Sequence, residues 1–213
     1  MNSILIYPNN SVKKKLYNKF SLPDNKLDDI LSVSVKYGDL NKKNIDCTLA
    51  LPFAKGRKYK LMQGYNGAYS HSDADSKYAL DFKMEIGEKV LAVYDGIIIG
   101  VLDKYSDGAP DKKLLDFANY ILIYHEQLGT FSKYVHIKYK GATVKNGDKI
   151  EQGDVIGFSG NVGYSTEPHL HFCYYKPDPT NSIEEGLIAI PSFFENDLDG
   201  NTFKKGMWIE NVN

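Results

Sequence analysis

Five histidines, His71, His125, His136, His169 and His171, are the residues of this chain best suited to chemistry at neutral pH. His169-Leu170-His171-Phe172 is the sharpest pattern. On a strand alternate side chains share a face, so His169 and His171 project together, about 6.6 Å apart along the backbone, while Leu170 and Phe172 face the core. Imidazole is a common zinc ligand, and a catalytic zinc takes three protein ligands plus a water. A His-x-His pair also describes two ordinary histidines, so a metal site needs a third donor from elsewhere. Residues 70–82 supply His71 together with Asp73, Asp75 and Asp81. Cys173 continues the face of His169 and His171, and reads as a packed or groove-lining thiol. Tyr65 and Tyr69 carry hydroxyls suited to an oxyanion, with nothing in their spacing to favour either. Ser70 and Ser165 show no triad-like arrangement, which makes a serine hydrolase a poor competitor.

The elements that must position these residues are mostly strands. Residues 11–36 alone have helical spacing, with Leu16, Tyr17 and Phe20 followed by Leu27, Ile30 and Leu31. From Cys47 onward, short β-branched and aromatic runs are punctuated by Gly, Asn and Asp. Strands are expected at 48–53, 59–63, 79–84, 89–94, 96–102, 120–125, 131–137, 154–159 and 169–175. Two polar loops, 103–116 and 160–168, are placed to shape a site on a rigid sheet. Gly87-Glu88-Lys89-Val90 recurs as Gly147-Asp148-Lys149-Ile150, each copy opening an apolar strand. Two independent turns and a structural duplication both account for the echo.

Composition narrows the function classes. The 213 residues, 24.0 kDa, carry 26 basic and 27 acidic groups. The broad basic face of a nucleic-acid binder is therefore not expected. Arg57 is the single arginine, so bidentate phosphate recognition is nearly absent. No apolar run approaches the length of a membrane span, Asp95 interrupting the nearest at 89–102. Two cysteines, Cys47 and Cys173, allow at most one disulfide. The stretch MNSILIYPNNSVKKK lacks the signal-peptide pattern, which is expected of a cytoplasmic protein or of a sequence that starts after a leader.

Tyr134-Val135-His136-Ile137 and the run from Gly160 through Glu167-Pro168-His169-Leu170-His171-Phe172 resemble two motifs of the zinc metallopeptidases of the lysostaphin and LytM type, peptidase family M23. The likeness runs from about Pro52 to Tyr175. The family's first motif, His-x-x-x-Asp, is matched literally by His71 and Asp75. Asp81-Phe82, followed by Gly87 and by Val90 through Asp95-Gly96, reproduces the surrounding register better, and Asp81 is the expected ligand.

The resemblance implies a mostly-β, barrel-sandwich-like catalytic domain over residues 47–213, with an antiparallel sheet groove. Residues 1–46 would form a partly helical extension. It implies Zn²⁺ held by His71, Asp81 and His171, with His136 and His169 handling protons, His125 being structural. The implied activity is endopeptidase cleavage of a peptide or of peptidoglycan, without nucleic acid or a transmembrane segment, and with oligomeric state open. Secretion or a cell-envelope location with the leader outside this sequence is implied, and a cytoplasmic location stays open. Two rivals remain: a degenerate, non-catalytic zinc-binding or peptidase-like module acting as an envelope partner or activator, and a carrier domain modified at Lys149.

Overall fold

The computed structural model describes residues 47–178 and 186–212; the expected N-terminal helices and extension lie outside them. The first half is built from β1 (Lys58–Gln63), β2 (Leu80–Phe82), β3 (Lys89–Leu91), β4 (Gly96–Leu102), β5 (Gly108–Ala109), β6 (Tyr120–His125), β7 (Thr130–Val135) and β8 (Ile137–Ala142). It continues with β9 (Lys149–Ile150), β10 (Val155–Ser159), β11 (Gly163–Tyr164), β12 (Leu170–Pro177), β13 (Leu187–Ile190), β14 (Phe193–Phe194), β15 (Leu198–Asp199) and β16 (Trp208–Glu210). Among the described residues the helices are two short 3₁₀ turns, and none is long and apolar enough to cross a membrane.

The main sheet runs β16-β1-β2-β12-β7-β6-β4-β9, with β13 also paired to β12, and its pairs are antiparallel. The path ends at β16 and β9, so the sheet stays open and no barrel closes. A three-stranded sheet, β3-β10-β8, accompanies it. The main sheet is buried on both faces at its centre. Ile121 and Ile123 of β6 join Leu170 and Phe172 of β12 in the larger core, while Leu122, Tyr124, Cys173 and Tyr175 pack in a second cluster. This two-sided burial explains why β6 and β12 read as near-continuous apolar runs.

The echo in the sequence is a turn used three times. Gly87, Gly147 and Gly153 have φ near +90° (93°, 91° and 89°). In each turn the residue after glycine accepts from a backbone N–H three positions back: Glu85 to Glu88 at 2.9 Å, Lys145 to Asp148 at 2.9 Å and Glu151 to Asp154 at 2.8 Å. The left-handed position favours glycine and the carboxylate closes the turn, so local chemistry alone accounts for the likeness.

The expected strand at 48–53 is not formed. Leu49 N–H donates to Phe193 and Ala50 N–H to Val93, two different neighbours, and Pro52 has no N–H to offer, so no ladder develops beyond a bridge of Leu49 to Phe194. The loops 103–116 and 160–168 are also more regular than expected. They pair in parallel through β5 and β11, Gly108 opposite Gly163 and Ala109 opposite Tyr164, forming one wall of the groove described next.

Candidate metal centre and its groove

The register of the main sheet sets three polar residues in a row. Asp81 on β2 lies opposite His171 on β12 and opposite Gln63 on β1. The β1–β2 register shifts between Leu61 and Gln63, a bulge that aims Gln63 at Asp81. His71 enters from the loop between β1 and β2, its backbone N–H donating to Gly67 and its Nδ1 to the carbonyl of Gly64, both at 2.9 Å.

Three donor atoms converge. His71 Nε2 lies 3.3 Å from His171 Nδ1 and 3.2 Å from Asp81 Oδ1, and His171 Nδ1 lies 2.9 Å from the same oxygen. A tetrahedral zinc with bonds of about 2.0–2.1 Å spaces its ligand atoms roughly 3.3–3.4 Å apart. The triangle therefore fits one face of such a tetrahedron. The Gly64 bond holds the proton of His71 on Nδ1 and leaves Nε2 as the donor, an outer contact of the kind that orients metal-binding imidazoles. Burial would raise the pKa of Asp81, but hydrogen bonds from His171 and His71 outweigh it and keep the carboxyl well below the usual carboxylate range. Asp75, the other carboxylate of literal motif spacing, is exposed and outside the cluster.

His136 and His169 stand beside the triangle with ring centroids 4.4 Å apart. His136 occupies the single position between β7 and β8 with φ of 65°, and its Nδ1 donates to the Val162 carbonyl at 2.7 Å. His169 Nδ1 donates to the Glu167 carbonyl at 2.8 Å, and its Nε2 lies 3.9 Å from Asp81 Oδ1. Each ring is thus anchored through its Nδ1. Burial, reinforced by His169 and His171, lowers the pKa of His136 to about 3, so it is neutral at physiological pH. Gly160 lets these two segments meet, since a Cβ there would come within 2.7 Å of the His136 carbonyl oxygen.

All four of Asp81, His136, His169 and His171 line a cavity of about 460 Å³, and Tyr69 and Tyr164 stack across it at 5.3 Å. The other candidates lie elsewhere or act structurally. His125 sits in a separate buried chain, with Nδ1 donating to the Asp95 carbonyl at 2.8 Å and Nε2 2.9 Å from Ser132 Oγ. Cys173 is packed in the second cluster, its thiol pushed up to about 12 by burial, and the two cysteines form no disulfide. Tyr65 turns away, accepting from Ser192 N–H, and Ser165 Oγ donates to Asn161 Oδ1 within the loop.

Sequence reasoning missed Gln63. Its Nε2 donates to Asp81 Oδ2 at 3.3 Å and to Ser70 Oγ at 2.9 Å, while Oε1 accepts from Tyr69 N–H at 3.1 Å. The available signal was a polar residue following Tyr59 and Leu61 at the buried period-two positions of β1.

The profile of peptidase family M23 matches residues 75–182, half of the chain. An uncharacterized metalloprotease of Buchnera aphidicola is 33% identical over 176 residues, 76% of this chain and 41% of that protein. Glycyl-glycine endopeptidase ALE-1 of Staphylococcus capitis is 32% identical over 136 residues, 64% and 33% of the two chains. Peptidoglycan DD-endopeptidase ShyA of Vibrio cholerae is 34% identical over 108 residues, 50% and 22%. The chain spans less than half the length of each of these curated relatives.

Proposed function

The chain belongs to peptidase family M23, a family of zinc metallopeptidases, and from that premise we propose that it is a zinc-dependent endopeptidase acting on the peptide part of peptidoglycan. The observation that carries this reading is the triangle of His71 Nε2, Asp81 Oδ1 and His171 Nδ1, with edges of 2.9–3.3 Å, opening on a cavity that also holds two imidazoles anchored through Nδ1. In this reading His71, Asp81 and His171 hold Zn²⁺ within a catalytic domain over residues 47–213. When bound, the metal acidifies a water and polarises the scissile carbonyl. Nε2 of one of the two rings, His169 or His136, stands ready to accept the proton of the attacking water and, once protonated, to hydrogen-bond the tetrahedral oxyanion and return that proton to the leaving amine. Their Nδ1–H bonds to Glu167 and Val162 fix both rings in the orientation this requires.

A glycoside-cleaving alternative needs a carboxylate pair across the bond. Among the described residues that line the cavity, the acidic ones are Asp81, committed to the imidazoles, and Glu167, paired with Lys83. The degenerate-module reading needs a missing ligand or proton carrier, whereas all five positions are filled. The names of ALE-1 and ShyA support peptide bonds of the wall as the target, and with it a secreted or cell-envelope location. The test is digestion of purified peptidoglycan, and separately of glycine-rich peptides, by the zinc-loaded protein. New amino termini are expected; new reducing sugar ends without amines would refute the peptidase.

A further inference from the structure

Basic and acidic residues nearly balance over the whole chain, 26 against 27, yet one end of the groove gathers lysines. Lys60 on β1 is opposite Trp208 on β16, and on its other side its carbonyl accepts from the N–H of Lys83. Lys205 precedes Gly206, whose φ of +92° turns the chain so that a Cβ on Gly206 would sit 3.9 Å from Lys60 Cε. Lys60, Lys83 and Lys205 line the cavity that holds Asp81 and the three imidazoles of His136, His169 and His171. Past Lys60 and Lys83 the surface continues into a second cavity of about 550 Å³, bounded by Arg57, Lys58 and Trp208.

Two nearby carboxylates, Glu167 and Glu88, are already engaged, while Glu85 lines the second cavity and sets its charge beside Lys83. Glu167 bonds Lys83 at 2.5 Å. Glu88 accepts from Tyr59 OH at 2.8 Å and from Glu85 N–H at 2.9 Å, and pairs with Arg57 at 3.8 Å. Among the described residues no ion pair involves Lys60 or Lys205. Like charges placed side by side on a sheet repel, and an anionic ligand would offset that repulsion. Trp208, 62% exposed beside Lys58, supplies a flat wall along which a peptide backbone can lie.

Resting on the peptidase reading, we propose that the groove selects an extended peptide bearing a carboxylate on the Lys60–Lys205 side of the metal centre, so that acidic peptides are preferred over uncharged ones. Either a side chain or a chain terminus can supply that carboxylate. Lysine recognises it as a point charge, which fits a site that tolerates either source.

The experiment uses zinc-loaded wild type, Lys60→Gln/Lys205→Gln and, as a control on the far edge of the sheet, Lys149→Gln. Matched extended peptides differ by Glu against Gln at one position, or by a free against an amidated C-terminus. Dissociation constants are measured by fluorescence anisotropy alongside kcat and KM. Exposed charge pairs are individually weak, so the charged peptide of a pair is expected to bind about tenfold tighter at low salt. The advantage should shrink with salt, persist in Lys149→Gln and vanish in the double variant; which peptide pair shows it identifies the source of the carboxylate. Equal constants for charged and uncharged peptides, or an advantage that survives the double substitution, overturn the proposal. Charge-selective binding without cleavage of any peptide would keep the anionic site and overturn the peptidase reading, while cleavage without charge preference would do the reverse.

Discussion

Gln63 and Asp81 face each other across β1 and β2, and the Gln63 amide donates to Asp81 Oδ2 at 3.3 Å while Oδ1 points at the two imidazoles. One carboxylate oxygen is thereby fixed by the sheet and the other is left for a metal. Gln63 also holds the loop of His71, through Ser70 and Tyr69. It is a positioning residue for two of the three proposed ligands.

Replacing it should therefore loosen the metal without unfolding the sheet. Gln63→Ala is expected to weaken zinc binding about 10- to 100-fold, the usual range for lost outer-shell partners. Competition with a chromophoric chelator measures this directly. Unchanged affinity would mean that the bulge between Leu61 and Gln63 serves the strand alone.

The choice between two aspartates is tested the same way. Asp81→Ala should abolish stoichiometric zinc, because it removes one corner of the donor triangle. Asp75→Ala should retain it, the side chain being exposed and outside the cluster. Metal analysis of the two purified variants decides, and the reverse result would reassign the ligand.

His136→Ala and His169→Ala should keep zinc and lose turnover, by ~10²- to 10⁴-fold if each moves a proton. Val162 and Glu167 take the Nδ1 side of the two rings, which leaves the Nε2 side for that work. A metal-free His169→Ala protein would make His169 a ligand, its Nε2 already lying 3.9 Å from Asp81 Oδ1.

Much of the site was legible because period-two alternation is a property of the chain itself. It placed Leu170 and Phe172 in the core and set His169 and His171 on the other face, as found. The convergence of His71 with residues a hundred positions away was not readable from spacing; only the likeness to a family's motifs pointed there. Gln63 escaped because its role depends on a bulge that sets it opposite Asp81, and alternation along β1 does not say which residue of β2 it will face. The strand expected at 48–53 failed for a related reason: its composition suits a strand, but its backbone partners are two separate neighbours. The parallel pairing of β5 with β11 involves two residues on each side and is a purely tertiary contact.

Acid should destabilise the protein through His125. Burial lowers its pKa to about 4, outweighing the hydrogen bond to Asp95 that favours the charged form. The unfolded chain takes up this proton near pH 6.5 and the folded one only near 4, so the unfolded state binds more protons between those values. Stability is unaffected above pH 6.5, falls as pH drops through the window and levels off below it, a loss of roughly 3 kcal/mol. His125→Asn should remove that slope, at some cost at neutral pH from the contacts to Asp95 and Ser132. Denaturant melts of both proteins from pH 7 to 4 give the difference; parallel curves would show that His125 does not titrate in this window.

Two classes of glycine should respond differently to a single methyl group. Gly87, Gly147 and Gly153 are left-handed, and a Cβ there meets nothing within 4 Å. Alanine at any one of them carries only the conformational penalty, about 1–2 kcal/mol of stability. Gly160 is a matter of space, because its Cβ would sit 2.7 Å from the His136 carbonyl oxygen and from the backbone of Lys138. Either segment must move, and His136 and His169 ride on the two segments. Gly160→Ala should therefore lower turnover at saturating zinc by more than tenfold, the scale on which small misplacements of reacting groups are felt. Gly153→Ala should lose stability and leave turnover alone. Thermal melts and single-substrate kinetics on the two variants separate the effects, and full activity in Gly160→Ala would show that the corner at His136 yields without moving its ring.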